Sequence, residues 1–190
     1  KMKLEKTDLH NILEGCKRGD SDCQKLLFDK FFGKMLSICR RYLTDDEEAK
    51  DVTQESFILM FNKLEAYKGE GSFEGWLRRI VVNKAIDTFR KKKVKTYSID
   101  EHDWSDVKDT TDSEDESIYN VIKPDVVIEH IQNLSPQYKT IFNLHVVEGY
   151  THQQISDELK ISVGTSKSNL SKARARLKMS LTKYLKKVNV

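Results

Sequence analysis

The sequence predicts an all-α protein: two small helical domains joined by an acidic linker. Three observations predict it. Apolar residues recur at three- and four-residue intervals along two long stretches, only eight Gly and two Pro interrupt 190 residues, and acidic residues crowd a segment between those stretches. With 33% charged and 38% hydrophobic residues, the composition suits amphipathic helices and argues against a sheet-rich sandwich or barrel. At this length the chain buries one ordinary core or two small ones, each marginal alone.

In residues 26–42 the apolar set Leu27, Phe28, Phe31, Phe32, Met35, Ile38 and Cys39 predicts a helix with a broad buried face. Thr44 with Glu47 reads as a capping box for a second helix over 45–67, whose core residues are Ala49, Val52, Phe57, Met60, Phe61 and Leu64. Lys68-Gly69-Glu70-Gly71 breaks it. Ser72 then caps a third helix through Phe73, Trp76, Leu77, Ile80, Val81, Ala85, Ile86 and Phe89, and the basic run Arg90-Lys91-Lys92-Lys93 ends a first domain over 1–93.

Residues 94–123 form the expected linker. Between 94 and 117 there are nine acids and two Lys with little apolar periodicity, which reads either as a solvated spacer or as a polyanion that mimics nucleic acid. A second domain, 124–190, opens near Pro124. Ser135 as cap and Pro136 at the first helical position start a helix through Tyr138, Ile141, Phe142 and Leu144 to Val147, which Gly149 ends. Thr151 with Gln154 makes a capping box for a short helix closing at Leu159; Lys160, Ile161 and Ser162 turn, and a helix from Val163 follows. This is a helix-turn-helix pattern.

The net charge of +3 conceals two basic clusters. Residues 78–95 hold eight basic residues against the single acid Asp87, and 160–190 hold nine and no acid, so both read as polyanion-facing surfaces. In the last helix Thr165, Lys167, Ser168, Ser171, Lys172 and Arg174 lie opposite the apolar side and offer hydroxyls and cations suited to phosphates and base edges in a major groove. Three cysteines, Cys16, Cys23 and Cys39, without a secretory leader or an apolar run of membrane length, predict a reduced, cytoplasmic chain with no membrane insertion. Their spacing brings no His or second Cys pair, so neither metal nor cofactor is expected.

The stretch Leu134-Ser135-Pro136 through Gly149-Tyr150-Thr151 to Ile161-Ser162-Val163-Gly164-Thr165 and Ala173-Arg174 resembles region four of extracytoplasmic-function sigma factors, which implies binding of the −35 promoter element. Two positions depart from the family: Ser166 stands where a small aliphatic is usual and Asn169 where Arg is frequent, and both bear on base preference. Asp51-Val52-Thr53-Gln54-Glu55-Ser56-Phe57 is similar to the family's region-two signature, and the acidic turn 45–48 before it is similar too. Asp51, Gln54 and Glu55 sit at i, i+3 and i+4, so they share one helical face while Val52 and Phe57 turn inward. The resemblance implies that this face binds core RNA polymerase at the β′ clamp helices.

Ser72-Phe73-Glu74-Gly75-Trp76-Leu77-Arg78-Arg79-Ile80 and Val82-Asn83-Lys84-Ala85-Ile86-Asp87 resemble the family's melting and −10 recognition segments. Trp76, Ile80, Asn83, Asp87 and Arg90 advance by four, three, four and three along one stripe, with Lys84 beside it, beside the loop 67–72. An aromatic, an amide and cations on one stripe suit capture of unpaired bases. Trp76 reads more readily as a core residue than as a base contact, and Asp87 reads also as a helix-surface partner of Arg90 or Lys91. The resemblance further implies a β flap contact for region four, an anti-sigma protein as a candidate partner, a monomer when free, and no enzymatic activity. The remaining readings explain less of the sequence: a helix-turn-helix regulator leaves the Asp-Gln-Glu face without purpose, and a nucleic-acid enzyme lacks clustered carboxylates, metal-ligand spacing or a Gly-rich phosphate loop.

Overall fold

A computed structural model describes residues 9–96 and 122–188, and every regular element among them is helical. The chain divides into two compact units, Lys1–Phe89 and Arg90–Val190, as expected of an all-α protein with two small cores. Residues 97–121, and with them most of the predicted linker, lie outside the described residues.

The first unit begins with a helix that periodicity did not predict, α1 (Leu9–Lys17), which buries Ile12, Leu13 and Cys16. Gly19 ends it at φ 81°, donating to Cys16 O while the Asp20 amide reaches back to Gly15 O, both at 3.0 Å. That left-handed turn favours glycine, and the two backbone bonds satisfy carbonyls the helix end would leave open. Asp20 immediately caps α2 (Ser21–Cys39), accepting from the Asp22 and Cys23 amides at 2.9 and 3.0 Å. The helix therefore starts five residues before the predicted Leu26 and closes at Cys39 rather than Tyr42. Leu27, Phe31, Met35, Ile38 and Cys39 form its buried side. Burial without a compensating charge pushes the Cys39 thiol up to about 11, so it packs as a small apolar group.

The cap of α3 (Asp46–Asn62) is Asp45, not Thr44: its carboxylate accepts the Glu48 amide at 2.8 Å. Arg40 bonds Asp46 at 2.7 Å, which fixes the boundary one residue later than the predicted capping box. The helix stops at Asn62, short of the predicted Tyr67, and a single 3-10 turn, Leu64–Ala66, carries buried Leu64. Thr53 and Ser56 are fully buried, each hydroxyl donating at 2.6 Å to a carbonyl of its own helix, Ala49 and Val52 respectively. Such back-bonding lets two polar residues face a core without an unpaired group. Ser72 does cap α4 (Phe73–Thr96), accepting the Gly75 amide at 3.1 Å, and the helix runs past the predicted stop at Lys93. Leu77, Val81, Val82, Ala85 and Ile86 face its core.

The second unit opens with α5 (Pro124–Gln132), held against the long C-terminal helix α8 (Val163–Val188) by His130, which hydrogen-bonds Ser180 and packs edge-on to Tyr184. Ser135 caps α6 (Pro136–Phe142) through its backbone only. Residues Asn143–Val147 then form a π turn, closed by the Glu148 amide on Asn143 O at 3.0 Å. The widened turn moves Val146 and Val147 out to solvent, at 49% and 40% exposure, where the predicted helix put them on its apolar face. The Thr151–Gln154 capping box forms as expected on α7 (His152–Leu159), with bonds of 3.2 and 2.8 Å. Lys160 makes the turn at φ 54°, and Ser162 caps α8 by accepting the Thr165 amide at 2.9 Å.

Candidate nucleic-acid interface

On α3 the i, i+3, i+4 spacing has the geometry expected of it. Asp51, Gln54 and Glu55 are exposed while Val52 and Phe57, at 5% and 1%, sit in the core. One turn further the same face carries Ile58, 62% exposed, which the sequence reading passed over. The signal was present: an Ile at i+7, i+4 and i+3 from the three polar residues interrupts an otherwise hydrophilic stripe. The acidic turn ahead of this face is internally paired, Asp46 with Arg40 and Lys50 and Glu47 with Lys50, and the bonds from Arg40 and Lys50 hold the Asp46 carboxyl below its ordinary range.

The α4 stripe adjoins this face. Asn83 is exposed, Trp76, Ile80 and Asp87 are half-buried, and Arg90 follows at the border of the two units. Lys84 is half-buried and engaged by Glu55 at 2.8 Å, so a residue assigned to DNA and one assigned to polymerase meet in one ion pair. Trp76 lies between its two readings. Its ring packs on Tyr67 and Phe73 at 5.3 and 5.8 Å, and Phe73 continues to buried Phe31 at 5.5 Å. It therefore joins the core to the base of the loop 67–72, in which Gly69 and Gly71 take φ of 78° and 80°.

In the second unit α7 and α8 cross around Ile155, Leu159, Leu170 and Ala173, all buried. Thr165, Lys167, Ser168 and Arg174 are exposed, and Ser171 and Lys172 half-buried, on the opposite side of α8. Ser166 and Asn169 are instead interior, at 0% and 9% exposure. Both therefore take part in packing between the helices. Ser166 Oγ sits 2.9 Å from His152 Nδ1, and the His152 ring stacks on His145 at 4.5 Å and 13°. Burial, then the charges of His145, Lys167 and Arg174, lower the His152 pKa. Another buried group is Lys139 on α6, fully covered, whose amine makes long contacts of 3.4 and 3.5 Å to Gln132. Burial lowers its pKa.

Two family models match this chain: sigma-70 region 2 over residues 27–94 and sigma-70 region 4 over residues 125–177. The ECF RNA polymerase sigma-E factor of Haemophilus influenzae is 27% identical over 175 residues, spanning 86% of this chain and 89% of its own. The ECF RNA polymerase sigma factor SigW of Bacillus subtilis is 28% identical over 173 residues, spanning 87% and 92%. Among solved structures, CnrH in complex with the cytosolic domain of CnrY matches with a TM-score of 0.49 at 17% identity, covering 92% of this chain and 98% of that one. The chain belongs to the sigma-70 family of transcription initiation factors, in its extracytoplasmic-function group. As a sigma factor it associates with core RNA polymerase and directs promoter-specific transcription. Among the described residues no helix is long and apolar enough to cross a membrane.

Proposed function

We propose a division of labour between the two units. The exposed face of α3, Asp51, Gln54 and Glu55, binds the β′ clamp helices of core polymerase. Asn83, with Arg90, Lys84 and Asp87 on α4 and Trp76 at the loop base, takes the −10 element as single strand. Helix α8 enters the major groove of the −35 element, with Thr165, Lys167, Ser168, Ser171, Lys172 and Arg174 toward DNA. The protein acts by binding alone, without chemistry of its own, in the cytoplasm.

The observation that carries this reading is the adjacency of a wholly exposed acid-amide-acid face on α3 to the basic helix α4, joined at Glu55 and Lys84. A duplex-only regulator needs the helix-turn-helix but gains nothing from such a face. The test is capture of purified core polymerase by the tagged full chain in the absence of DNA. The expected outcome is a complex that Asp51→Lys with Glu55→Lys weakens while helical content is unchanged. Undiminished capture by that double variant removes the clamp assignment.

A further inference from the structure

The loop 67–72 is held at both ends, and the holding residue at its first end is unused by the reading above. Tyr67 is half-buried, and its ring packs edge-on to Phe73 at 5.5 Å and on Trp76 at 5.3 Å, so its aromatic body belongs to the cluster that reaches Phe31. Its phenolic O–H donates to Gly71 O at 2.9 Å, across the loop that Tyr67 itself opens. The second end is the α4 cap, where the Gly75 amide bonds Ser72 Oγ and the Trp76 amide bonds Ser72 O, both at 3.1 Å. Between these anchors Lys68, Gly69 and Glu70 are exposed.

A phenol at the surface has water as a ready partner, so a bond to its own loop's backbone does more for shape than for stability. The loop contains two glycines in left-handed backbone, which left to themselves sample many conformations. Any such loop that orders only when a base arrives loses affinity to that ordering, and one ordered beforehand does not. Trp76 lies under this loop and Asn83 is two turns further along the same helix, so the loop's shape sets how an extruded base is met.

Resting on the reading of α4 as the −10 single-strand reader, the geometry points to Tyr67 as a positioning residue that fixes the 67–72 loop for base discrimination through its bond to Gly71. Tyr67 need not touch DNA. It keeps the loop's carbonyls and amides in one arrangement, against which the correct base gains more than an incorrect one.

Tyr67→Phe is the informative variant, since it retains the ring contacts with Phe73 and Trp76 and deletes only the hydroxyl. Holoenzyme assembled from core polymerase and the full chain is presented with single-stranded DNA randomised over six positions, and retained strands are sequenced. Wild type is expected to enrich particular bases at defined positions. Tyr67→Phe is expected to flatten enrichment at one position by about two- to tenfold, the scale of one net hydrogen bond, with total retained DNA, core affinity and thermal unfolding near wild type. Tyr67→Leu, which also removes the ring, should flatten it further and lower the unfolding temperature. Undiminished base enrichment by Tyr67→Phe overturns the positioning role and leaves the −10 assignment standing. A merely packing role is shown by lower unfolding temperature with unchanged enrichment, which also overturns it. Wild-type holoenzyme that enriches no base at all overturns the −10 assignment and this inference together.

Discussion

Lys84 on α4 reaches Glu55 on α3, Nζ to Oε2 2.8 Å, and so ties the surface proposed for the clamp to the one proposed for DNA. Both side chains keep solvent contact, 31% and 57%, and an ion pair of that exposure is worth about 0.2–1 kcal/mol. Geometry, and not stability, is what the pair controls: it decides where the Lys84 ammonium and one Glu55 oxygen point.

Glu55→Lys is therefore expected to do two things, lowering affinity for core polymerase and slightly lowering unfolding temperature by setting two ammonium groups side by side. The swapped variant Glu55→Lys with Lys84→Glu should recover the unfolding temperature and not the affinity. Competition against a second sigma factor and thermal melts measure the two quantities. If the swap restores affinity as well, Glu55 serves the fold and the clamp assignment passes to Asp51 and Gln54 alone.

On α8, Lys167, Lys172 and Arg174 lie on the side turned away from Ile155 and Leu159. Truncating each to Ala should weaken binding of the full chain to −35 duplex most at low salt, and reduce the slope of log affinity against log salt by about one per cation lost. Titrations by fluorescence anisotropy at several salt concentrations supply the slopes. A slope unchanged in all three variants would place the phosphate contacts elsewhere.

Lys139 holds its side chain at 0% exposure, and among the described residues its amine meets no carboxylate, reaching Gln132 oxygens at 3.4 and 3.5 Å. Replacing it by Met, similar in length and apolar, should stabilise the second unit by about 1–3 kcal/mol. The sign with pH follows from the lowered pKa. Below the unfolded value of 10.5 the unfolded chain binds more protons than the folded one, so stability rises with pH until that value is passed. Wild type should gain stability from pH 7 to 10 and Lys139→Met should gain less, as read by urea unfolding. A variant less stable than wild type at pH 7 would mean that the amine's contacts outweigh its burial.

His152 titrates in the opposite part of the scale. Its folded value lies below 6.5, lowered first by burial, so the stability linked to its neutral form is complete above pH 6.5 and is lost as pH falls through the folded value. A proton on His152 would also meet the stacked His145 ring, Lys167 and Arg174. Thermal melts of the full chain between pH 7.5 and 5 should show a fall that His152→Gln makes shallower. Parallel curves for the two proteins would assign the acid sensitivity to other groups.

Local chemistry was the legible part of this chain. Ser72, and Thr151 with Gln154, act through bonds spanning three residues, so the sequence contains the whole of each cap. The Thr44 expectation failed by one residue because Thr44 and Asp45 are both good caps, and the choice falls to Arg40, six residues from Asp46 and joined to it only in the folded chain. Helix α1 escaped notice because its apolar side is short and uses Cys16 as one of its members. The exposed Asp51, Gln54 and Glu55 followed from spacing alone. Ser166 and Asn169 did not: polar residues on a basic helix read as outward, although Ser166, Leu170, Ala173, Leu177 and Leu181 form a heptad-like stripe that the interior follows. Burial of Ser166 needed a polar partner, His152, from another helix.

The π turn at Asn143–Val147 makes length itself a design variable of this domain. A turn that closes on the fifth residue holds one residue more than an ordinary helical turn, and one residue is about 100° of rotation. Deleting any one residue there would let the chain close as continuous α-helix and swing Tyr150 and the start of α7 about the axis of α6. Most surface loops absorb a single-residue insertion or deletion; this segment converts one into a reorientation of the helix-turn-helix.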